Sequence, residues 1–232
     1  MRQPHPLLWE TRSTYSRIPG LTPQVAQRVN TLETQLRASG VWEKLLGVWP
    51  FAGTTSSSQL TALKGFDLLF AAGSRTTDLF TEAGYSPVGS SGLVTPNSLA
   101  VRSVCISGPN LLSPARSIYV NDASHGGMFT PWAGDGFTYV DMPTETQRFF
   151  VETIPSRFYS SSSSATVGSN LVKDFVNTGP LGATVPSVVP GIVTIGYTAP
   201  PSFTINFACV GDTLTVADQL AINQAVRAYR PQ

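Results

Sequence analysis

The chain has 232 residues, 41% hydrophobic and only 12% charged, with a formal net charge of +1. That charge excludes a general electrostatic pull towards nucleic acid or anionic lipid. No run approaches the roughly 20 apolar residues of a membrane span, so neither nucleic-acid binding nor membrane insertion is expected. The 20 glycines and 18 prolines predict many short strands joined by turns, within the length of one undivided all-β domain.

Residues 1–21 hold Pro6, Pro19 and Gly20, show no periodicity and read as an extended N-terminal arm. Its start, MRQPHPLLWE, lacks the apolar core of a signal peptide. Arg2, Arg12 and Arg17, followed by Arg28 and Arg37, face only Glu10 and Glu33 in this region. The first three are candidates for docking the arm on an acidic partner surface.

Residues 22–232 read as a single domain. Thr22 as N-cap and Pro23 at the first helical position open an amphipathic helix with Val25, Val29, Leu32 and Leu36 on one stripe. Ser39-Gly40 ends it. VWEKLLGVWPF predicts a helical turn passing into a strand, with Trp42 and Trp49 half in the core. Candidate strands follow at 66–72, 99–107, 116–120, 136–142, 147–154, 191–199 and 202–210. In the last, Phe203, Ile205, Phe207 and Cys209 alternate with Thr204, Asn206 and Ala208, the pattern of a half-buried strand. The serine run at 160–164 reads as an exposed loop, and 178–191 is too rich in proline for a central strand. Thr215 and Asp218 stand at capping-box spacing before a second helix bearing Ile222, Val226 and Tyr229. Cys105 and Cys209 lie in apolar strand-like runs and are expected to be buried free thiols. The pattern is that of one mainly β sandwich or barrel with a short helix at each end.

Two stretches resemble a known family. VNTLETQLRASGVWEKLLGVWPFAG (29–53) is similar to the opening of bacteriophage virion structural proteins with a concanavalin A-like (LamG-like) jelly-roll domain, Gly40, Val41, Trp42, Lys44 and Leu45 matching the family's G-[IV]-W-x-K-[LM] step. INFACVGDTLTVADQLAINQAVRAY (205–229) resembles its last strand and terminal helix, with Gly211, Leu214 and Thr215 at the linking positions. Residues 83–101 are more loosely similar, and 102–195 carry no likeness. The resemblance implies an antiparallel two-sheet sandwich with the terminal helices at its edge, carried on a phage particle. It implies no ligand, since one fold hosts many functions.

Chemistry-bearing patterns are sparse. Glu10, Glu33, Glu43, Glu82, Glu145 and Glu152 offer no pair on one strand face, as a jelly-roll glycosidase requires, and Asp135 with Asp141 is the remaining even-spaced pair. G-x-S-x-G, C-x-x-C and phosphate-cradling loops are absent. No enzyme is expected. Asn121 and Asp122, with Asp135 in the next loop, present oxygens suited to calcium, the one cofactor left open. Trp132 beside Asp135, with His125 nearby in sequence, is the candidate carbohydrate site.

The expectation is a virion structural protein, assembled in the host cytoplasm and decorating a capsid, tail or baseplate through its arm. Its partners would be other virion proteins, in a symmetric homo-oligomer or under particle-imposed symmetry. The alternative is a lectin-like adsorption module that binds a host-surface glycan. A glycoside hydrolase ranks third.

Overall fold

The computed structural model describes residues 17–71, 79–88, 92–109, 116–121, 126–131, 137–141, 146–150, 158–162, 169–173, 176–181, 191–197 and 204–230. Helix α1 (Pro23–Ala38) starts where its cap places it: the Thr22 hydroxyl accepts a bond from the Val25 N–H at 3.3 Å. Its predicted stripe, Val25, Val29, Leu32 and Leu36, is buried. Gly40 follows in the left-handed region at φ 72°, as the stop predicted. Ile18 and Leu21 are also buried against this helix, so the folded unit reaches back to Ile18.

A short 3-10 turn (Trp42–Lys44) leads into β1 (Leu45–Trp49), and a one-turn helix α2 (Ser56–Leu60) follows. The further strands are β2 (Leu69–Phe70), β3 (Leu79–Thr81), β4 (Gly84–Ser86), β5 (Leu93–Val94), β6 (Ser103–Ser107), β7 (Arg116–Asn121) and β8 (Gly126–Pro131). Then come β9 (Phe137–Asp141), β10 (Thr146–Phe150), β11 (Phe158–Ser162), β12 (Ser169–Lys173), β13 (Val176–Leu181), β14 (Ile192–Tyr197) and β15 (Phe207–Gly211). Helix α3 (Val216–Tyr229) closes the chain on the predicted capping box: the Thr215 hydroxyl accepts from Asp218 N–H, and the Asp218 carboxylate accepts from Thr215 N–H at 2.8 Å.

The strands form a six-stranded sheet in the order β1-β15-β6-β11-β12-β13 and a seven-stranded sheet in the order β10-β9-β8-β7-β14-β5-β2, with β3 and β4 as a small ribbon. Neighbours in both sheets run antiparallel. The architecture is the expected antiparallel two-sheet sandwich with terminal helices.

Two cores hold it. Between the sheets, Trp49, Ile106, Ala208 and Val210 meet Leu93, Ile118, Val193 and Ile195. On the other side of the six-stranded sheet, Val48, Cys105, Phe207 and Cys209 meet the helices, including Leu32, Leu36, Ile222 and Val226. Each fully buried valine, leucine, isoleucine or phenylalanine among them contributes about 1.5–3 kcal/mol. The six-stranded sheet is therefore dry on both faces in its β1-β15-β6 part.

Several expectations change at this point. The last strand is not half-buried: every residue of β15 is buried, because Ala208 and Val210 serve one core while Phe207 and Cys209 serve the other. The tryptophans are buried rather than half-buried. Trp49 can be dry because its indole N–H donates to the Phe66 carbonyl at 2.9 Å, and the Trp42 ring is covered by Arg37 at 4.3 Å. Ser160, Ser161 and Ser162 of the serine run belong to β11, which pairs with both β6 and β12; ladder bonding on both sides overrides weak strand preference. The proline-rich stretch begins inside β13, where Pro180 is tolerated because β13 is an edge strand.

Cys105 and Cys209 are register partners across β6 and β15, both fully buried and free. Burial, reinforced by the hydrogen bond and proximity of Cys105, pushes the Cys209 thiol well above its ordinary range. Neither thiol should react with maleimide in the native protein, whereas both should label in denaturant; mass spectrometry of the adducts checks this.

Candidate binding face

With both faces of the inner part of the six-stranded sheet covered, the seven-stranded sheet decides what the sandwich offers to a ligand. Its register lines up Ile195, Ile118, Phe129 and Val140 across β14, β7, β8 and β9, and the described side chains of this row, Ile195 and Ile118, are buried between the sheets. Alternate positions belong to the opposite face. That face carries one row at Leu69, Val94, Thr194, Tyr119, Met128, Asp141 and Thr146, spanning all seven strands. A second row, one step along, runs through Thr130, Tyr139 and Arg148 on β8, β9 and β10. Neither α1 nor α3 packs there among the described residues; they cover the other sheet. On this face Thr194 is buried and Val94 half-buried at the β14-β5 side, while the Thr130, Tyr139 and Arg148 positions share one row across β8, β9 and β10. Period-two alternation in RSIYV and GFTYVD was the sequence signal for it, but only the register joins the strands.

The predicted site residues fall mostly elsewhere. Trp132, Asp135, His125 and Asp122 lie outside the described residues, as do Arg2 and Arg12. Asn121 ends β7 opposite Gly126, and Arg17 is exposed at the start of the described chain. The flanking strands constrain the rest. Asn121 pairs with Gly126 at one end of β8 and Pro131 with Thr138 at the other, ends roughly 17 Å apart at the usual strand rise. The Thr130, Tyr139 and Arg148 row stands next to the Pro131–Thr138 end of β8, and Asp141 lies opposite Met128, nearer the other end. Among the described residues no group of three His, Cys, Asp or Glu is placed to hold a metal, and no helix is long and apolar enough to cross a membrane.

The residues that carried the family resemblance form a structural clasp. Lys44 Nζ donates to Asp218 Oδ2 at 2.6 Å, and the Asp212 N–H donates to the Lys44 carbonyl at 2.9 Å. At Gly211 a Cβ would stand 2.7 Å from that same carbonyl, so the strand end and the turn meet with no side chain between them. Tyr229, fully buried, donates its hydroxyl to the Pro50 carbonyl at 2.5 Å, and burial pushes its ionisation up. Motifs from the two ends of the chain are thus one feature in space, and its role is to close the fold.

One further surface is distinctive. Phe66, Leu69 and Phe70 are 39%, 53% and 41% exposed, and they are the exposed large hydrophobics among the described residues. Phe70 touches Phe80 edge-on at 6.0 Å, and Phe80, Tyr85 and Phe51 continue as stacked rings into the core.

No protein-family model matches the chain, and no curated protein does. Solved structures match its fold. The receptor-binding domain of botulinum neurotoxin D aligns over 78% of this chain and 52% of its own at 7% identity, with a TM-score of 0.53. A type C botulinum neurotoxin, whose passage into cells depends upon interaction with two ganglioside molecules, aligns over 81% and 53% at 7% identity and TM-score 0.53. The Trypanosoma rangeli sialidase aligns over 86% of this chain and 39% of its own, at 12% identity and TM-score 0.52. The chain spans about half or less of the length of these structures. At such identities the likeness establishes the antiparallel β-sandwich fold and nothing more.

Proposed function

We propose that this chain is a lectin-like module that binds a surface glycan at the β8-β9-β10 part of its seven-stranded sheet, on the face turned away from the six-stranded sheet. The observation that carries the reading is the row Thr130, Tyr139 and Arg148, brought together by register across β8, β9 and β10. Aromatic rings stack on the apolar faces of sugars, while arginine, threonine and aspartate bond their hydroxyls. Sandwiches of this fold that interact with gangliosides, or are sialidases, support the same class of ligand. Binding without turnover is the reading. A glycosidase needs two carboxyl groups about 5–9.5 Å apart. Asp135 lies outside the described residues, and no second carboxylate joins Asp141 in its row across the seven strands.

Glycan-array screening of the full chain, followed by titration of the retained saccharide, tests the proposal. Tyr139→Ala and Trp132→Ala should each weaken binding about tenfold or more, which corresponds to roughly 1.4 kcal/mol. Retention of no glycan, or variants that bind like the wild type, would refute it.

A second reading concerns where the module works. The likeness of residues 29–53 and 205–229 to phage virion proteins, with the 12% charged composition, supports a place on a phage capsid, tail or baseplate. There the arm would order on virion proteins, with symmetry imposed by the particle. Deleting residues 1–16 should leave a folded sandwich that no longer joins particles; normal incorporation of the truncated chain would sink this reading.

A further inference from the structure

β6 and β15 lie side by side in the six-stranded sheet, and their register sets Cys105 directly opposite Cys209. Directly opposed residues of an antiparallel pair have Cα atoms about 4.5–5.5 Å apart, inside the span of about 4.4–6.8 Å that a disulfide bridges. Both side chains stand on the same face of the sheet, in the core beneath the helices. The Cys209 thiol is hydrogen-bonded to Cys105, so the two sulfurs already face each other. Opposed Cβ atoms start roughly 4.5–5.5 Å apart and need to close by only about 1 Å to reach disulfide geometry. A bond between them requires no change of register.

The surroundings decide when such a bond can form. Both thiols are fully buried, and Leu32 and Leu36 of α1 and Ile222 and Val226 of α3 belong to the same core. The attacking species in disulfide chemistry is the thiolate, which a dry setting disfavours. The folded protein therefore exchanges slowly. The pair is open to oxidation while the helices are not yet docked, or when they lift away in a partial opening. Once α1 and α3 close over it, a bond made at that stage is shielded from reductant by the same burial.

We propose that Cys105 and Cys209 are the two halves of a latent cross-strand disulfide, which a low-molecular-weight disulfide closes during folding or helix opening and which then staples β6 to β15. One cysteine loses its proton to solvent and attacks the small disulfide, giving a mixed disulfide and one small thiolate. The second cysteine, likewise deprotonated, attacks the mixed disulfide, forming the Cys105–Cys209 bond and expelling the other small thiolate. The cysteines give up two electrons, the small disulfide accepts them, and the two protons end on the released thiols. A reducing compartment keeps the pair as thiols and an oxidising one closes it. The bond closes a loop of about 100 residues, which restricts the unfolded chain strongly.

Refolding the full chain from urea in a mixture of oxidised and reduced glutathione tests this, read by intact mass and peptide mapping. The expected product is a monomer roughly 2 Da lighter than the reduced chain, with the Cys105 and Cys209 peptides joined. Its urea midpoint should exceed that of the reduced chain by about 1 M or more. Folded protein placed in the same mixture without urea should gain the bond about tenfold or more slowly. Cys105→Ala and Cys209→Ala should show no gain in midpoint from the mixture, and either serves if the other fails to fold. Glutathione adducts or linked dimers in place of the internal bond would overturn the proposal. So would an oxidised chain less stable than the reduced one, equal rates in folded and refolding protein, or a midpoint gain in a single-cysteine variant.

Discussion

Gly84→Ala should lower stability by roughly 3–5 kcal/mol, seen as a large drop in the urea midpoint with an unchanged slope. Gly84 sits at φ 128°, and a Cβ there would run into the carbonyl of Ile205, a backbone atom that cannot step aside. The close approach exists because Tyr85 and Ile205 exchange two backbone bonds of 2.8 Å, fixing the β3-β4 ribbon to the chain just before β15. Overpacking costs about 1–3 kcal/mol and the glycine-only backbone region a similar amount. Gly40→Ala is the internal comparison. Its φ is also positive, at 72°, but nothing lies within 4 Å of the added carbon, so only about 1 kcal/mol should be lost.

The second large effect concerns the clasp. Asp218→Ala removes the carboxylate half of the capping box, which accepts from Thr215, and the partner of Lys44 together, leaving the Thr215 cap itself, and should cost about 1–2 kcal/mol at neutral pH, up to ~1 of it from the partly exposed ion pair. Burial alone would raise the Asp218 carboxyl pKa. The Lys44 ammonium and the N–H and hydroxyl of Thr215 outweigh it, so the net shift is downward. A carboxyl lowered on folding stabilises fully above its unfolded value of about 3.9, and the contribution fades as pH falls through the folded value. The stability gap between wild type and Asp218→Ala should therefore be flat above about pH 5 and shrink in acid. A gap that widened in acid would show that the carboxylate does not hold the clasp.

What could be read before the fold was known follows the range of each interaction. Thr22, Gly40, Thr215 and Asp218 act within a few residues of themselves, and the helices they bound were legible. Position in a sheet is not local. Ala208 and Val210 looked like the lesser half of an alternating strand, yet they fill the inter-sheet core because β15 lies between β1 and β6. Ser160–Ser162 carry no strand preference; their two neighbouring strands supply it. Lys44 and Asp218 are 174 positions apart, so their pairing could not be seen even though each stood in a recognised motif. The binding face has the same character: Thr130, Tyr139 and Arg148 come from three different strands, and the hairpin registers alone bring them into a row. The carbohydrate candidates Trp132 and Asp135 came from loop composition. They lie outside the described residues, as does His125.

The most direct test of the glycan-binding account is an amide-shift map of the 24.8 kDa chain titrated with an array-selected saccharide. The account predicts saturable shifts centred on Thr130, Tyr139, Arg148 and the 132–136 connection, with α1 and α3 silent. Shifts confined to the helices, or none with any saccharide, would contradict it.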